Sequence, residues 1–313
     1  MKIGIDIMGG DYAPEVVVKG ANLAHEMLSD SADLVLIGDQ EKMKSIALEN
    51  GIDLSRFEIM HTSEFVSMDE HPAKAYTRKP NSSIGIGYRM LNGQQIDGFA
   101  SAGSTGAMLV GAMYTAKLIP GVIRPSIAAA IPTPGKYPTL LLDVGINPDA
   151  KPDVLYQYAM LGSMYAEYVY GIEKPKVGLL NIGEEEEKGN LLTKATYNAM
   201  KDSIDFNFIG NVEGNDIFNY EKVNVMVCDG FVGNVMLKQA EAFYTLIRKR
   251  KISDSFFEKF NFENTGGTPV LGVNYPVVIG HGISNDIAIK NMIIHTKDVI
   301  EAGLTTKFKE AFK

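Results

Sequence analysis

Seven turns in this chain combine Gly with Ser, Thr, Asn or Asp, and each sits at the end of a short apolar run. They read Asp6-Ile7-Met8-Gly9-Gly10-Asp11, Ser101-Ala102-Gly103-Ser104-Thr105-Gly106, Asp143-Val144-Gly145-Ile146-Asn147, Asn181-Ile182-Gly183, Gly210-Asn211-Val212-Glu213-Gly214, Asp229-Gly230-Phe231-Val232-Gly233-Asn234 and Gly280-His281-Gly282-Ile283-Ser284. Glycine lets the backbone approach a ligand closely. A helix that starts just after such a turn offers unpaired N–H groups and the positive end of its dipole to an anion. Any one turn could simply close a tight connection. All seven together point to an anion site assembled from several strand ends.

Other chemistry finds less support. Gly85-Ile86-Gly87 and Gly280-His281-Gly282 both fail the dinucleotide fingerprint, and no phosphate-binding loop of the Gly-Lys-Ser/Thr kind or Gly-x-Ser-x-Gly elbow occurs. The single cysteine, Cys228, excludes an internal disulfide and a multi-cysteine metal site, and reads as a small buried hydrophobe. No cofactor and no metal are expected. His281 is the one histidine in a glycine turn, where it either binds or transfers a proton or makes a structural hydrogen bond. Lys188 follows Glu184, Glu185, Glu186 and Glu187 and is either a phosphate ligand or an exposed partner of those acids.

The elements that must position these turns alternate between two periods. Strands are predicted at residues 2–8, 34–38, 57–61, 98–102, 127–131, 139–144, 177–182, 206–209, 223–228 and 277–279. Helices are predicted at 14–28, after the 34–38 strand to about 50, and at 81–91, 105–118, 153–170, 191–203, 232–250 and roughly 286–302. Strands that are apolar throughout, rather than alternating, belong in a parallel or mixed sheet covered on both faces. The fold class is therefore α/β, a three-layer α/β/α arrangement with a mostly parallel mixed sheet. Ligands of such sheets bind beyond the carboxyl ends of the strands, where the seven turns lie. The least regular stretches are 68–80, 132–138 and 251–276, and the last is expected to protrude.

The 313 residues, 45% hydrophobic and 22% charged, suit one catalytic domain of residues 1–313, with room for two lobes and a cleft between them. Net charge is −8, which disfavours nucleic acid and requires a local basic patch for any polyanionic partner. An acid at position 6 interrupts what a signal peptide would need, and no stretch reaches membrane-span length, so a cytoplasmic protein is expected.

The same residues resemble a known family. Met8-Gly9-Gly10-Asp11-Tyr12-Ala13-Pro14, the 101–107 turn, residues 140–147 with Asp149-Ala150-Lys151-Pro152, residues 177–183, Lys188-Gly189-Asn190, residues 208–213 and 229–234 are similar, in order, to the motifs of the bacterial phosphate acyltransferases that use acyl-acyl carrier protein. The resemblance implies a fold like that of the isocitrate/isopropylmalate dehydrogenase and phosphotransacetylase group, usually as a homodimer. It implies an acyl-phosphate synthase of phospholipid biosynthesis whose product passes to a membrane glycerol-3-phosphate acyltransferase. Three departures stand out: Tyr12 where His is common, Ser104 where Asn is common, and a helical segment at 235–276 shorter than the hairpin that many members use for dimer and membrane contacts.

Under that reading the enzyme holds phosphate beside a thioester carbonyl and stabilises the tetrahedral oxyanion. Positioning can supply ~7–11 kcal/mol of such a barrier and each oxyanion donor ~3–4 kcal/mol. Phosphate is expected near Ser104, Thr105 and Gly106 with Lys188 as counter-ion. Asn147, Asn181, Asn211 and Asn234 are candidate donors, and Asp229 and His281 orient neighbours or move protons. Asp6, Gly9, Gly10, Asp11, Ser101, Asp143, Gly183 and Gly230 complete the expected binding turns. The run Arg248-Lys249-Arg250-Lys251, followed by Ile252, Phe256, Phe257 and Phe260, is either a surface for carrier protein or anionic lipid, or a solvated helix end beside a dimer interface. The rivals are a phosphotransacetylase-like enzyme using short acyl-coenzyme A, a dehydrogenase of the same fold, and a non-catalytic scaffold.

Overall fold

The computed structural model describes residues 1–28 and 31–313. In chain order the elements are β1 (Lys2–Asp6), α1 (Glu15–Leu28), β2 (Asp33–Gly38), α2 (Gln40–Asn50), β3 (Glu58–His61), α3 (Pro72–Arg78), α4 (Ser83–Asn92), β4 (Gly98–Ser101) and α5 (Thr105–Gly111). Then come β5 (Ser126–Ile131), β6 (Thr139–Leu142), α6 (Pro152–Tyr170), β7 (Lys176–Leu180), α7 (Leu191–Met200), β8 (Asn207–Val212), β9 (Val225–Val227) and α8 (Gly230–Lys249). The chain ends with β10 (Thr268–Leu271), β11 (Val277–Ile279), α9 (Asp286–Glu301) and α10 (Leu304–Ala311). It divides into two compact units, Met1–Leu118 with Phe262–Glu301, and Ile119–Asn261 with Ala302–Lys313.

In the first unit the strands run in the order β3-β2-β1-β4-β11-β10, all parallel except the pairing of β10 with β11. β1 is buried on both faces, Ile3 and Ile5 on one and Gly4 and Asp6 on the other, as a central parallel strand must be. The two-residue period puts neighbours on opposite faces. At Gly98 a methyl group would meet Ile300 and Thr296 of α9, whereas the Phe99 ring lies against Gly87 of α4. Thus α9, with α1 packed on it at Gly20 and Ile289, covers one face and α4 the other. The sequence expectation of three layers holds here.

In the second unit the order is β5-β6-β9-β7-β8, parallel except between β5 and β6. α6 lies on this sheet through Gly162, where any side chain would strike Val225 and Leu142. In each unit the parallel strands bring their carboxyl ends to one edge, and the predicted turns line that edge.

The departures from expectation have local causes. Residues 68–80 contain α3, which seven residues are too few to reveal by periodicity; Pro72 opens it where the missing N–H is harmless. The helix expected to reach residue 118 leaves α geometry after Gly111, passes through a π turn at Ala112–Ala116, and stops at Lys117, whose φ is +63°. Residues 251–276 hold two 3-10 turns and β10, and the first of those turns folds back so that the Tyr244 hydroxyl of α8 donates to Glu258 at 3.0 Å. α10 was not foreseen.

Burial lowers the pKa of His295, in α9, to about 4. A histidine kept neutral by folding adds stability above its ordinary value near 6.5, and that stability is lost as pH falls from there towards 4. We expect roughly 2–3 kcal/mol to be lost across that window. His295→Gln should flatten the acid limb of a stability–pH curve measured by urea unfolding; an unchanged limb would show that His295 does not govern it.

Candidate active site

Asp6, at the end of β1, is 1% exposed. Its Oδ1 accepts the Met8 N–H at 3.0 Å and its Oδ2 accepts the Ser101 hydroxyl at 2.7 Å, across the pairing of β1 with β4. The Ser101 hydroxyl in turn accepts the Gly103 N–H at 3.0 Å. Gly9 is pressed into this cluster: a methyl group there would lie 2.6 Å from Asp6 Oδ2 and from the Gly103 nitrogen, and 2.7 Å from Ser101 Oγ. The 8–11 turn is further tied to the 280–284 turn, because the Asp11 N–H donates to the Gly282 carbonyl at 2.8 Å. Three of the predicted turns therefore meet in the first unit.

Ser104 caps α5, accepting the Ala107 N–H at 3.4 Å, so its hydroxyl serves the helix. The Thr105 side chain is exposed beside it, and Gly106 lies against the ring of Pro72. Burial raises the Asp6 carboxyl above its usual range, opposed by the hydrogen bonds from Ser101 and the Met8 N–H, with Ser83 close by. Ser83 and Pro72 were missed from the sequence, since neither sits at a strand end. His281 follows β11, and its carbonyl accepts the Ser284 N–H and hydroxyl.

The second unit repeats the device. Asp143, fully buried at the end of β6, accepts the N–H of Ile127 at 3.3 Å through Oδ1, and those of Ile146 at 3.1 Å and Asn147 at 2.7 Å through Oδ2. The Asn147 amide donates to the Pro125 carbonyl at 2.9 Å and to the Tyr158 hydroxyl at 2.5 Å. Burial holds the Asp143 carboxyl above its usual range despite these donors, and burial keeps the Tyr158 phenol protonated. Asp229 caps α8 by accepting the N–H groups of Phe231 and Val232, both at 2.9 Å. Gly230 adjoins Asn147, and its N–H donates to the Asn147 carbonyl at 2.9 Å. Asn234, one turn on, is exposed and faces Gly145.

Asp6 and Asp143, expected among the phosphate ligands, thus have their oxygens engaged by the chain's own donors and face no solvent. A carboxylate in that position holds turns in place. It would not attract an anion. Cys228 lies behind the Asp143 turn with burial pushing its thiol well above the usual range, so it is no nucleophile.

Further along the same edge, Asn181 donates to the Lys188 carbonyl at 3.1 Å and to Asn211 Oδ1 at 3.1 Å, while Asn211 donates to the Glu185 carbonyl at 2.8 Å. These two amides, expected to face substrate, instead close the 182–189 loop. Gly189 needs its φ of +95°, and a side chain there would strike Asn181 and Thr193. Asn190 then caps α7. Gly183 sits beneath the aliphatic part of Lys188, whose ammonium is exposed and in no ion pair among the described residues. Among those residues no cluster of three or more His, Cys, Asp or Glu could hold a metal ion.

The family described as fatty acid synthesis protein matches residues 1–307. A phosphate acyltransferase of Desulfitobacterium hafniense is 44% identical, covering 99% of this chain and 97% of that protein. One from Dictyoglomus thermophilum is 41% identical over the same shares. Among solved structures, the EutD phosphotransacetylase of Staphylococcus aureus covers 96% of this chain and 94% of its own, with TM-score 0.65 at 18% identity, and a phosphotransacetylase of Streptococcus pyogenes gives 0.66. The latter two establish the fold, and the sequence relatives, matching nearly end to end, establish that this chain belongs to the phosphate acyltransferase family, a family of acyltransferases.

Proposed function

We propose that this enzyme transfers a long-chain fatty acyl group from acyl-acyl carrier protein to inorganic phosphate, giving an acyl phosphate for phospholipid synthesis. End-to-end membership of the family carries the reading. A phosphate oxygen attacks the thioester carbonyl carbon, forming the C–O bond and a tetrahedral oxyanion. Collapse breaks the C–S bond and expels the thiolate, which then takes up a proton. Phosphate is already anionic near neutral pH, so the step needs placement and charge compensation more than a strong base. In the second unit Lys188 is the proposed counter-ion and Asn234 an exposed polar ligand; in the first unit Thr105 is a candidate polar ligand and His281 a candidate proton carrier.

An acidic carrier protein needs positive charge to dock against on a chain of net charge −8. Arg248, Lys249, Arg250 and Lys251 supply it at the end of α8: all four are exposed and none joins an ion pair among the described residues. Of the neighbouring aromatics, the Phe256 ring packs against those of Phe257 and Phe260, and Phe260 meets Phe218 edge-on, so these rings are partly occupied with one another. α8 also exposes Phe231, Val235, Phe243 and Leu246, a surface suited to a second copy in a homodimer or to peripheral contact with a membrane and its acyltransferase. No helix among the described residues is long and apolar enough to cross a membrane.

A phosphate-dependent assay with acyl-carrier-protein and acyl-coenzyme A donors tests this. The expected result is a clear preference for the carrier protein, with charge reversal at 248–251 raising its KM and leaving that of phosphate alone. Preference for short acyl-coenzyme A would favour the phosphotransacetylase reading, and no phosphorolysis of either thioester would favour a scaffold.

A further inference from the structure

Lys188 follows four consecutive glutamates, and charges so close in sequence would ordinarily pair with it. In the folded chain two of the four are taken by lysines from elsewhere. Lys201, at the end of α7, reaches Glu186 at 3.2 Å. Lys222 reaches Glu184 and also holds Asp216 at 2.7 Å. The loop backbone is fixed independently by the Asn181 and Asn211 amides. Glu185 turns its carboxylate towards Gly183, and neither it nor Glu187 joins an ion pair among the described residues.

We infer that Lys201 and Lys222 are positioning residues for phosphate, holding Glu186 and Glu184 away so that the Lys188 ammonium stays free to meet an anion. The inference rests on Lys188 being the phosphate counter-ion. Its physical content is a local balance of charge: with both lysines in place the loop presents two unpaired carboxylates beside one ammonium, and without them four. Four carboxylates would both compete for Lys188 and repel phosphate. Because both glutamates and Lys201 are exposed and Lys222 is partly so, each released carboxylate is expected to change phosphate affinity about two- to fivefold.

The Lys201–Glu186 pair gives the cleaner test, since Lys222 also secures Asp216. Lys201→Gln should raise the phosphate KM about two- to fivefold at low salt, leave the thioester KM unchanged, and lose the effect at high salt. The double variant Lys201→Gln/Glu186→Gln should return the phosphate KM to its original value, because the offending charge is gone. If the pair merely staples the loop, the double variant would stay as impaired as the single one, and the inference falls. A normal phosphate KM in Lys201→Gln overturns it as well. Lys188→Gln separates the two levels: unchanged phosphate KM there overturns the counter-ion reading and this inference with it. A raised value there alongside a normal Lys201→Gln overturns this inference alone. Lys222→Gln with Glu184→Gln repeats the test at the second pair.

Discussion

Gly233→Ala is expected to destabilise the enzyme by roughly 2–4 kcal/mol, although the substitution puts a better helix former inside a helix. The intrinsic gain of Ala over Gly is at most about 1 kcal/mol. Against it stands a methyl group 1.9 Å from the Asp143 carbonyl oxygen, 2.9 Å from its carbonyl carbon and 3.0 Å from Cys228 Sγ. The first two atoms are backbone and cannot swing aside. Either α8 moves off the sheet or the 143–147 turn moves with its buried carboxylate, and both options break hydrogen bonds already described. Unfolding by urea or heat, followed by circular dichroism, reads the loss, which should lower the thermal midpoint by several degrees. Gly214→Ala is the control, because nothing lies nearer than 3.9 Å to the added methyl. A stability equal to the parent in Gly233→Ala would mean that the close approach of α8 to the Asp143 turn does not constrain the fold.

Lys188→Ala is expected to lower acyl-phosphate formation by about 10²–10³-fold, the cost of removing one preorganised charge from a developing oxyanion or bound phosphate. The side chain is exposed and makes no ion pair among the described residues, so stability should hardly change. The loss should fall mainly on the phosphate term, with arginine a partial substitute because it keeps the charge but not the compact ammonium. Near-normal turnover would remove Lys188 from the mechanism.

These two expectations depend on different kinds of legibility. The alternation of strands and helices could be read directly, because a strand buried on both faces must be apolar throughout and a helix must repeat its apolar face every three or four residues. The elements missed were short ones. α3 and α10 carry too few turns to show a period, and β10 is a four-residue strand paired antiparallel with β11, too short to reveal itself. Ser83 escaped notice for another reason: nothing about a serine at the start of a helix announces a buried carboxylate beside it.

The sequence by itself determined the α/β class, the positions of the strand-end turns and the family to which the chain belongs, since each follows from residue type and order along one dimension. Which polar groups in those turns remain free was decided only in three dimensions. Asp6 is spent on the Met8 N–H and the Ser101 hydroxyl, Asp143 on backbone N–H groups, Asn181 and Asn211 on loop carbonyls, and Asp229 and Ser104 on helix caps. Lys188 joins no ion pair among the described residues, and Lys201 and Lys222, distant in sequence, meet two of its four acidic neighbours. A hydrogen-bonding group can satisfy the chain or a ligand, and tertiary packing sets which of the two is within reach.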